Sequence, residues 1–166
     1  MFDVVIEFPK MKVAVATRDD RVVEIRFLPP SASDVGPKNA LAERAARQLE
    51  RYRDDPDAKF DLPVVVEGSP LQRAVWDAMR AIPRGKTRTY GDIARELGAQ
   101  FPANVPVDAR AIGQACGDNC LPIVIPCHRV VAADGIGGFG HATGGYLLEV
   151  KRWLLMHEAP AFELRP

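Results

Sequence analysis

The sequence predicts a mixed α/β fold in two parts, an antiparallel sheet with one covering helix followed by a mostly helical region that carries a helix-turn-helix. Three observations predict it. Short β-branched runs open the chain, a stretch rich in Ala, Leu, Glu and Arg follows them, and after Gly68-Ser69-Pro70 the apolar residues recur at helical spacing. That tripeptide marks the boundary, dividing residues 1–66 from residues 67–166. A chain of 166 residues has room for one ordinary domain or two small ones.

In the first part, residues 4–6, 12–17 and 22–28 are strand-like, and Asp19-Asp20 supplies the turn between the last two. The result is an antiparallel meander. After the Pro29-Pro30-Ser31 loop, residues 40–53 form a helix in which Leu41, Ala45, Leu49 and Tyr52 share one face, the face laid on the sheet. Residues 60–67 add a last strand.

In the second part, Leu71, Val75, Trp76, Met79 and Ile82 make a helical stripe closed by Pro83-Arg84-Gly85. Such a stripe is core rather than a ligand site. Residues 89–98 form a short helix ending at Gly98, joined by a Pro-containing loop over 99–108 to a second short helix around Ala109-Arg110-Ala111. Two short helices so joined suggest a helix-turn-helix. Because Ala109, Ala111, Gly113 and Ala115 have almost no side chain, the second helix can approach a groove closely, and the same smallness suits tight helix packing. A last helix covers 151–158.

With 22 basic and 22 acidic side chains the chain carries no net charge, which gives no support to general polyanion binding. Any nucleic-acid surface is therefore local. Arg84, Lys86, Arg88 and Arg95 are one candidate, opposed by Asp92 and Glu96, and a solvated loop and helix face is an equally good reading. No stretch approaches the roughly 18 apolar residues of a membrane span, and no charged start precedes a long apolar run. A cytoplasmic protein is expected, and three cysteines then imply reduced thiols.

Chemistry concentrates in Ile125-Pro126-Cys127-His128-Arg129-Val130, read as an apolar strand that ends by presenting a cysteine beside a histidine and an arginine. A thiol reacts as thiolate, and a neighbouring imidazole or guanidinium lowers its pKa. A lone cysteine after an apolar run is more often a buried small residue. Three features weigh against that: Pro126 fixes the entering backbone, His128 is a base of the right class, and Glu158 on the last helix can orient it. Cys116, Cys120, Cys127 and His128 also have zinc-ligand composition, but adjacent Cys127 and His128 point apart on an extended strand. Cys116 and Cys120 then mark one face of a helix end. His141, inside the glycine-rich run 137–145, reads as a solvated loop residue.

Taken in order, the Ala109-Arg110-Ala111 helix, the Pro-Cys-His-Arg run and the last helix resemble the O6-alkylguanine-DNA alkyltransferase family. The resemblance covers roughly 69–158 through these motifs and the first sixty-odd residues through their strand and helix pattern. It implies a ribonuclease H-like α/β domain over 1–66 and a winged-helix DNA-binding and alkyl-acceptor domain over 67–166. By position it makes Cys127 the alkyl acceptor, His128 the base acting through a water, Glu158 the residue orienting it, and Asn119 the brace of the active-site turn. Arg110 would enter the duplex in place of an extruded guanine, and Tyr90 would crowd the phosphate that must rotate. Gly91, Ala109, Ala111 and Ala133 fall among the implied DNA contacts, and Tyr90, Val130, Phe139 and Gly145 would wall the guanine pocket.

The implied activity is direct, irreversible transfer of an alkyl group from O6-alkylguanine in double-stranded DNA to Cys127, with O4-alkylthymine as a second substrate to consider. Since a thioether is not hydrolysed, each molecule would act once, without cofactor and as a monomer, with cooperative assembly on DNA left open. Some relatives carry zinc in the N-terminal domain, but residues 1–66 contain neither cysteine nor histidine, so no metal is expected. The joint 99–108 and the loop 140–145 are longer than in many relatives, and Phe139 stands where some have tyrosine. Two other classes share features: a lesion-binding module without chemistry, against which Cys127 stands, and a Cys-His hydrolase, which needs turnover and an oxyanion hole.

Overall fold

The computed structural model describes residues 1–159. They fall into two compact units, one spanning Met1–Val66 and the other beginning at Glu67.

The first unit is a three-stranded antiparallel sheet in the order β1-β2-β3, with β1 at Val4–Glu7, β2 at Lys12–Arg18 and β3 at Arg21–Leu28. Asp19 and Asp20 both take positive φ, 53° and 58°, the backbone twist that a two-residue hairpin loop needs and that Asp tolerates better than most residues. The central strand buries Val13, Ala14 and Val15 completely. Helix α1, Ala40–Asp54, starts where the Asn39 side chain accepts the Ala42 amide at 2.8 Å. Its buried face is Ala42, Ala45, Ala46, Leu49 and Tyr52, laid on the strands. Leu41 is only half-buried, because the three-residue step back from Ala45 reaches the sheet side and the four-residue step reaches its edge.

The expected strand over 60–67 does not form. Val64 makes one parallel bridge to Val22, with Val22 N donating to Pro63 O at 2.8 Å and Val65 N to Val22 O at 3.1 Å. Pro63 has no amide hydrogen, so the ladder has no donor with which to continue there.

In the second unit, three helices start on side-chain caps. Ser69 and Gln72 form a capping box on α2, Pro70–Arg80, with Pro70 in the first turn. Thr89 and Asp92 do the same for α3, Tyr90–Gly98, and the Asp108 side chain caps α4, Ala109–Gly117. The predicted stripe on α2 is core: Val75 and Met79 are fully buried, and Trp76 Nε1 donates to Ala115 O of α4 at 2.8 Å. A two-residue parallel ladder joins β4, Arg88–Thr89, to β5, Val130–Val131. The last helix, α5, runs over Tyr146–Glu158 and so begins five residues before the expected start. No helix among the described residues is long and apolar enough to cross a membrane.

The segment before the cysteine is not a strand. Residues 121–125 are a turn, closed by Ile125 N donating to Leu121 O at 2.8 Å and forced through Ile123 at φ 75°. Cys127–Arg129 then forms one turn of 3₁₀-helix. Pro122 and Pro126 remove two of the amide donors that a ladder in this stretch would need.

Candidate active site

Cys127, His128 and Arg129 sit on that single turn, between α2 and α5. The turn is 3₁₀ and not extended, and the side chains of Cys127 and His128 are both buried in it. His128 is completely excluded from solvent, and its Nε2 lies 2.8 Å from Glu158 Oε2, off the straight line of a ring N–H bond. Arg129 grips both oxygens of the same carboxylate, at 2.9 and 3.0 Å, and donates to Ile82 O at 2.7 Å. Glu158 is thus held by two side chains at once.

The protonation states follow from these contacts. Burial pushes the Glu158 carboxyl up, but the hydrogen bonds from His128 and Arg129 and the Arg129 charge outweigh it and hold the group below the usual carboxylate range. Burial pushes His128 down, against the pull of Glu158. A neutral His128 beside an ionised Glu158 carries its proton on Nε2, leaving the Nδ1 lone pair as the basic site. Nδ1 has no hydrogen-bond partner among the described residues.

The Cys127 thiol is raised by burial, and three influences oppose this: a hydrogen bond with Asn119, the charge of Lys151, and backbone donors at Cys127 and His128. Asn119 is well placed, since its amide donates to Ile125 O at 2.8 Å and its carbonyl oxygen accepts Leu121 N at 2.9 Å, tying together the turn that precedes the cysteine.

Lys151 gave no signal in the sequence beyond its place on the last helix. Its side chain is fully buried, and Nζ donates to three backbone carbonyls, Val130 O at 2.8 Å, Ile136 O at 2.5 Å and Gly138 O at 2.8 Å. Burial lowers its ammonium to about 8, with the Cys127 and Cys116 thiols acting in the opposite direction. It also lies over the Tyr90 ring, 5.7 Å from the centroid. An ammonium at a helical position in an otherwise apolar packing layer is visible only once the helix phase is known.

A cavity of about 260 Å³ opens onto Cys127. Its walls are Tyr90 on α3, Ala109, Arg110, Gly113, Gln114, Cys116 and Gly117 along α4, and the loop from Gly138 to Thr143. Tyr90 donates from its hydroxyl to Gly138 O at 3.2 Å, and burial raises its phenol well above the ordinary range. Phe139 is buried against the cavity.

Two residues expected in the pocket wall are elsewhere. Val130 is fully buried in the β4-β5 ladder, offering its carbonyl to Lys151, and Gly145 sits at φ 79° at the N-terminus of α5; neither lines the cavity. Arg110 is exposed at the cavity mouth, with Ala109 and Gly113 beside it. Ala133 is exposed in the turn after β5, and Gly91 and Ala111 are half-buried. The basic cluster is largely consumed within the unit: Arg88 pairs with Glu96, Arg95 with Asp92, and Arg84 donates to Glu158 O. His141 is exposed in the loop, as expected, and its ring also pairs with Asp118 at 3.0 Å. Of the proposed zinc set, Cys120 is exposed while Cys116 and Cys127 are buried. Cys116 approaches Met79 Sδ at 3.6 Å, as a core thiol does.

Residues 70–160 match the family model described as the DNA-binding domain of 6-O-methylguanine DNA methyltransferase. The chain is 41% identical over 114 residues to a methylated-DNA–protein-cysteine methyltransferase of Methanosarcina acetivorans, covering 69% of this chain and 67% of that one. For the curated relatives that match first, the aligned segment spans 63% to 67% of their length. The crystal structure of the Mycobacterium tuberculosis O6-methylguanine methyltransferase superposes with a TM-score of 0.73 at 30% identity, covering 98% of this chain and 96% of that one. The Mycobacterium tuberculosis protein in complex with DNA gives 0.70 at 31% identity, over 95% and 92%. A cysteine backed by histidine and glutamate at the foot of a cavity walled by a small-residue helix therefore belongs to a known group: the chain is a member of the O6-methylguanine-DNA methyltransferase family, the methylated-DNA–protein-cysteine methyltransferases.

Proposed function

We propose that this protein repairs DNA by moving an alkyl group from O6 of guanine to the sulfur of Cys127, once per molecule. The observation that carries the proposal is the placement of Cys127 at the foot of a cavity with His128 and Glu158 buried behind it. His128 Nδ1, which has no hydrogen-bond partner among the described residues, takes the thiol proton through a water, while Glu158 holds the imidazole and stabilises the cation that forms. The thiolate attacks the alkyl carbon, the carbon–O6 bond breaks, and guanine leaves with the electron pair on oxygen, to be protonated. The product thioether has no route back under cell conditions, so the molecule is consumed. No cofactor enters.

O6 of a stacked guanine is not open to in-line attack, so the nucleotide must leave the helix, at a cost of a few kcal/mol that is smallest for a damaged base. Arg110, the large exposed side chain beside Ala109 and Gly113 at the cavity mouth, is suited to fill the gap in the duplex. Tyr90 also lines the cavity and would crowd the phosphate that must rotate. In this reading residues 67–166 form a winged-helix domain that binds double-stranded DNA and accepts the alkyl group, residues 1–66 form a ribonuclease H-like domain, and the protein acts as a cytoplasmic monomer. O4-alkylthymine is a second substrate to test in the same assay.

The test is Cys127→Ala. It should abolish transfer and leave affinity for a duplex bearing O6-methylguanine within about threefold of the parent, since the thiol makes no DNA contact in this scheme. Loss of binding in parallel with transfer would contradict the division of labour. Repeated turnover on an ester by the parent protein would favour a Cys-His hydrolase.

A further inference from the structure

The loop that closes the cavity is held by a side chain, and the hold is specific. Phe139 and Ala142 exchange both backbone hydrogen bonds, N to O at 2.9 and 2.8 Å, so Gly140 and His141 form a two-residue turn with φ of 56° and 67°. Glycine enters that conformation freely, whereas histidine enters it against a steric penalty. The contacts of the imidazole compensate. Its ring lies on the bare backbone of Gly117, so closely that a Cβ at 117 would overlap it. Its Nε2 is 3.0 Å from Asp118 Oδ1, and the other oxygen of that carboxylate accepts Gln72 Nε2 at 3.0 Å. The loop tip is thereby tied to the C-terminal end of α4, and through Asp118 to α2. Gly117 and His141 line the cavity that opens onto Cys127.

We propose that His141, seated on Gly117 and tied to Asp118, sets the size of the group admitted beside Cys127, so that methyl is accepted and an aromatic substituent such as benzyl is disfavoured. The proposal rests on the alkyl-transfer reading above and goes beyond it by naming a specificity-determining residue. The physical ground is that an imidazole packed on Gly117 and paired with Asp118, both side chains being about half exposed, yields less than a glycine loop would. Discrimination by a pocket wall against an added apolar group is commonly about tenfold to a hundredfold.

The experiment compares second-order rates on duplexes carrying one O6-methylguanine or one O6-benzylguanine for the parent, His141→Gly and Asp118→Ala. Glycine keeps the positive φ and removes the ring, while Asp118→Ala leaves the ring and removes its anchor. The ratio of benzyl to methyl rates should rise by about tenfold in His141→Gly and less in Asp118→Ala. In parallel, labelling of Cys127 by iodoacetamide and by a benzyl-substituted iodoacetamide, read from the Cys127 peptide, reports the same opening without any guanine. A shift in the labelling ratio with no transfer to any guanine would overturn the alkyl-transfer reading and keep the size gate. Ratios unchanged within twofold in both variants, with transfer intact, would overturn the gate.

Discussion

Glu158 Oε2 stands 2.8 Å from His128 Nε2, and neither side chain reaches solvent. The same carboxylate is already neutralised by the two-pronged grip of Arg129. This fixes the order of charges: the carboxylate stays ionised, the imidazole stays neutral until a proton arrives, and the arginine compensates both states. A histidine so placed is oriented by Glu158 without being forced into its cationic form, which is what a base awaiting a thiol proton requires.

Glu158→Gln should therefore stop alkylation of Cys127 and also cost stability, about 3 kcal/mol at pH 7, because the largely buried Arg129 loses its counter-charge. The pH dependence has a definite sign. A carboxyl held below its ordinary value of 4.5 contributes stability that is full above that value and is lost as pH falls toward its folded value. Urea unfolding of parent and variant should converge as pH drops from 5 to 3, and a constant gap would contradict the ion-pair assignment.

Lys151→Met should cost about 2–4 kcal/mol, since three carbonyls that accept its ammonium lose their donor at once. It should also slow iodoacetamide alkylation of Cys127 and move its pH profile upward, because the charge that lowers the thiol is gone. The parent lysine is depressed to about 8 from 10.5, so between those pH values the folded form binds fewer protons than the unfolded one. Parent stability relative to Lys151→Met should rise across that window. A fall would show that the ammonium is not disfavoured by burial.

Asn119→Ala removes both ties across the turn 121–125, and a loss of about 1–3 kcal/mol is expected. The thiol also loses a hydrogen bond that favours its ionised form, so the alkylation profile of Cys127 should shift upward. Lower stability with an unmoved profile would make Asn119 purely structural.

Arg110→Ala should slow repair in duplex far more than reaction with free O6-benzylguanine. The side chain is exposed at the mouth of the cavity and is needed only where a base must be displaced. Equal slowing on both substrates would remove it from that role.

Much of the fold was legible in periodicity. The three strands, the Asp19-Asp20 hairpin loop and the helices around 40–53, 71–82 and 89–98 announce themselves through alternation, spacing and caps, because each buries one face of a regular element. Residues 60–67 and the strand expected over 125–130 did not. Both are apolar runs whose prolines withdraw amide donors, and composition reads them as strands where hydrogen bonding cannot sustain one. Within the candidate site, Cys127, His128 and Glu158 could be nominated from their residue types and positions. Lys151 and the His141–Asp118 pair were not, since one depends on the phase of a helix and the other on a turn that bends a loop back onto Gly117. The misplacement of Val130 and Gly145 has the same origin: a sequence orders residues along the chain, and the wall of a cavity is ordered by side-chain direction.

The most direct test is the intact mass of the protein after incubation with a duplex holding one O6-methylguanine. A gain of one methyl group, mapped to Cys127 and saturating at one per molecule, is the predicted result. An unchanged mass together with tight binding to the lesion would contradict alkyl transfer and make this chain a recognition protein.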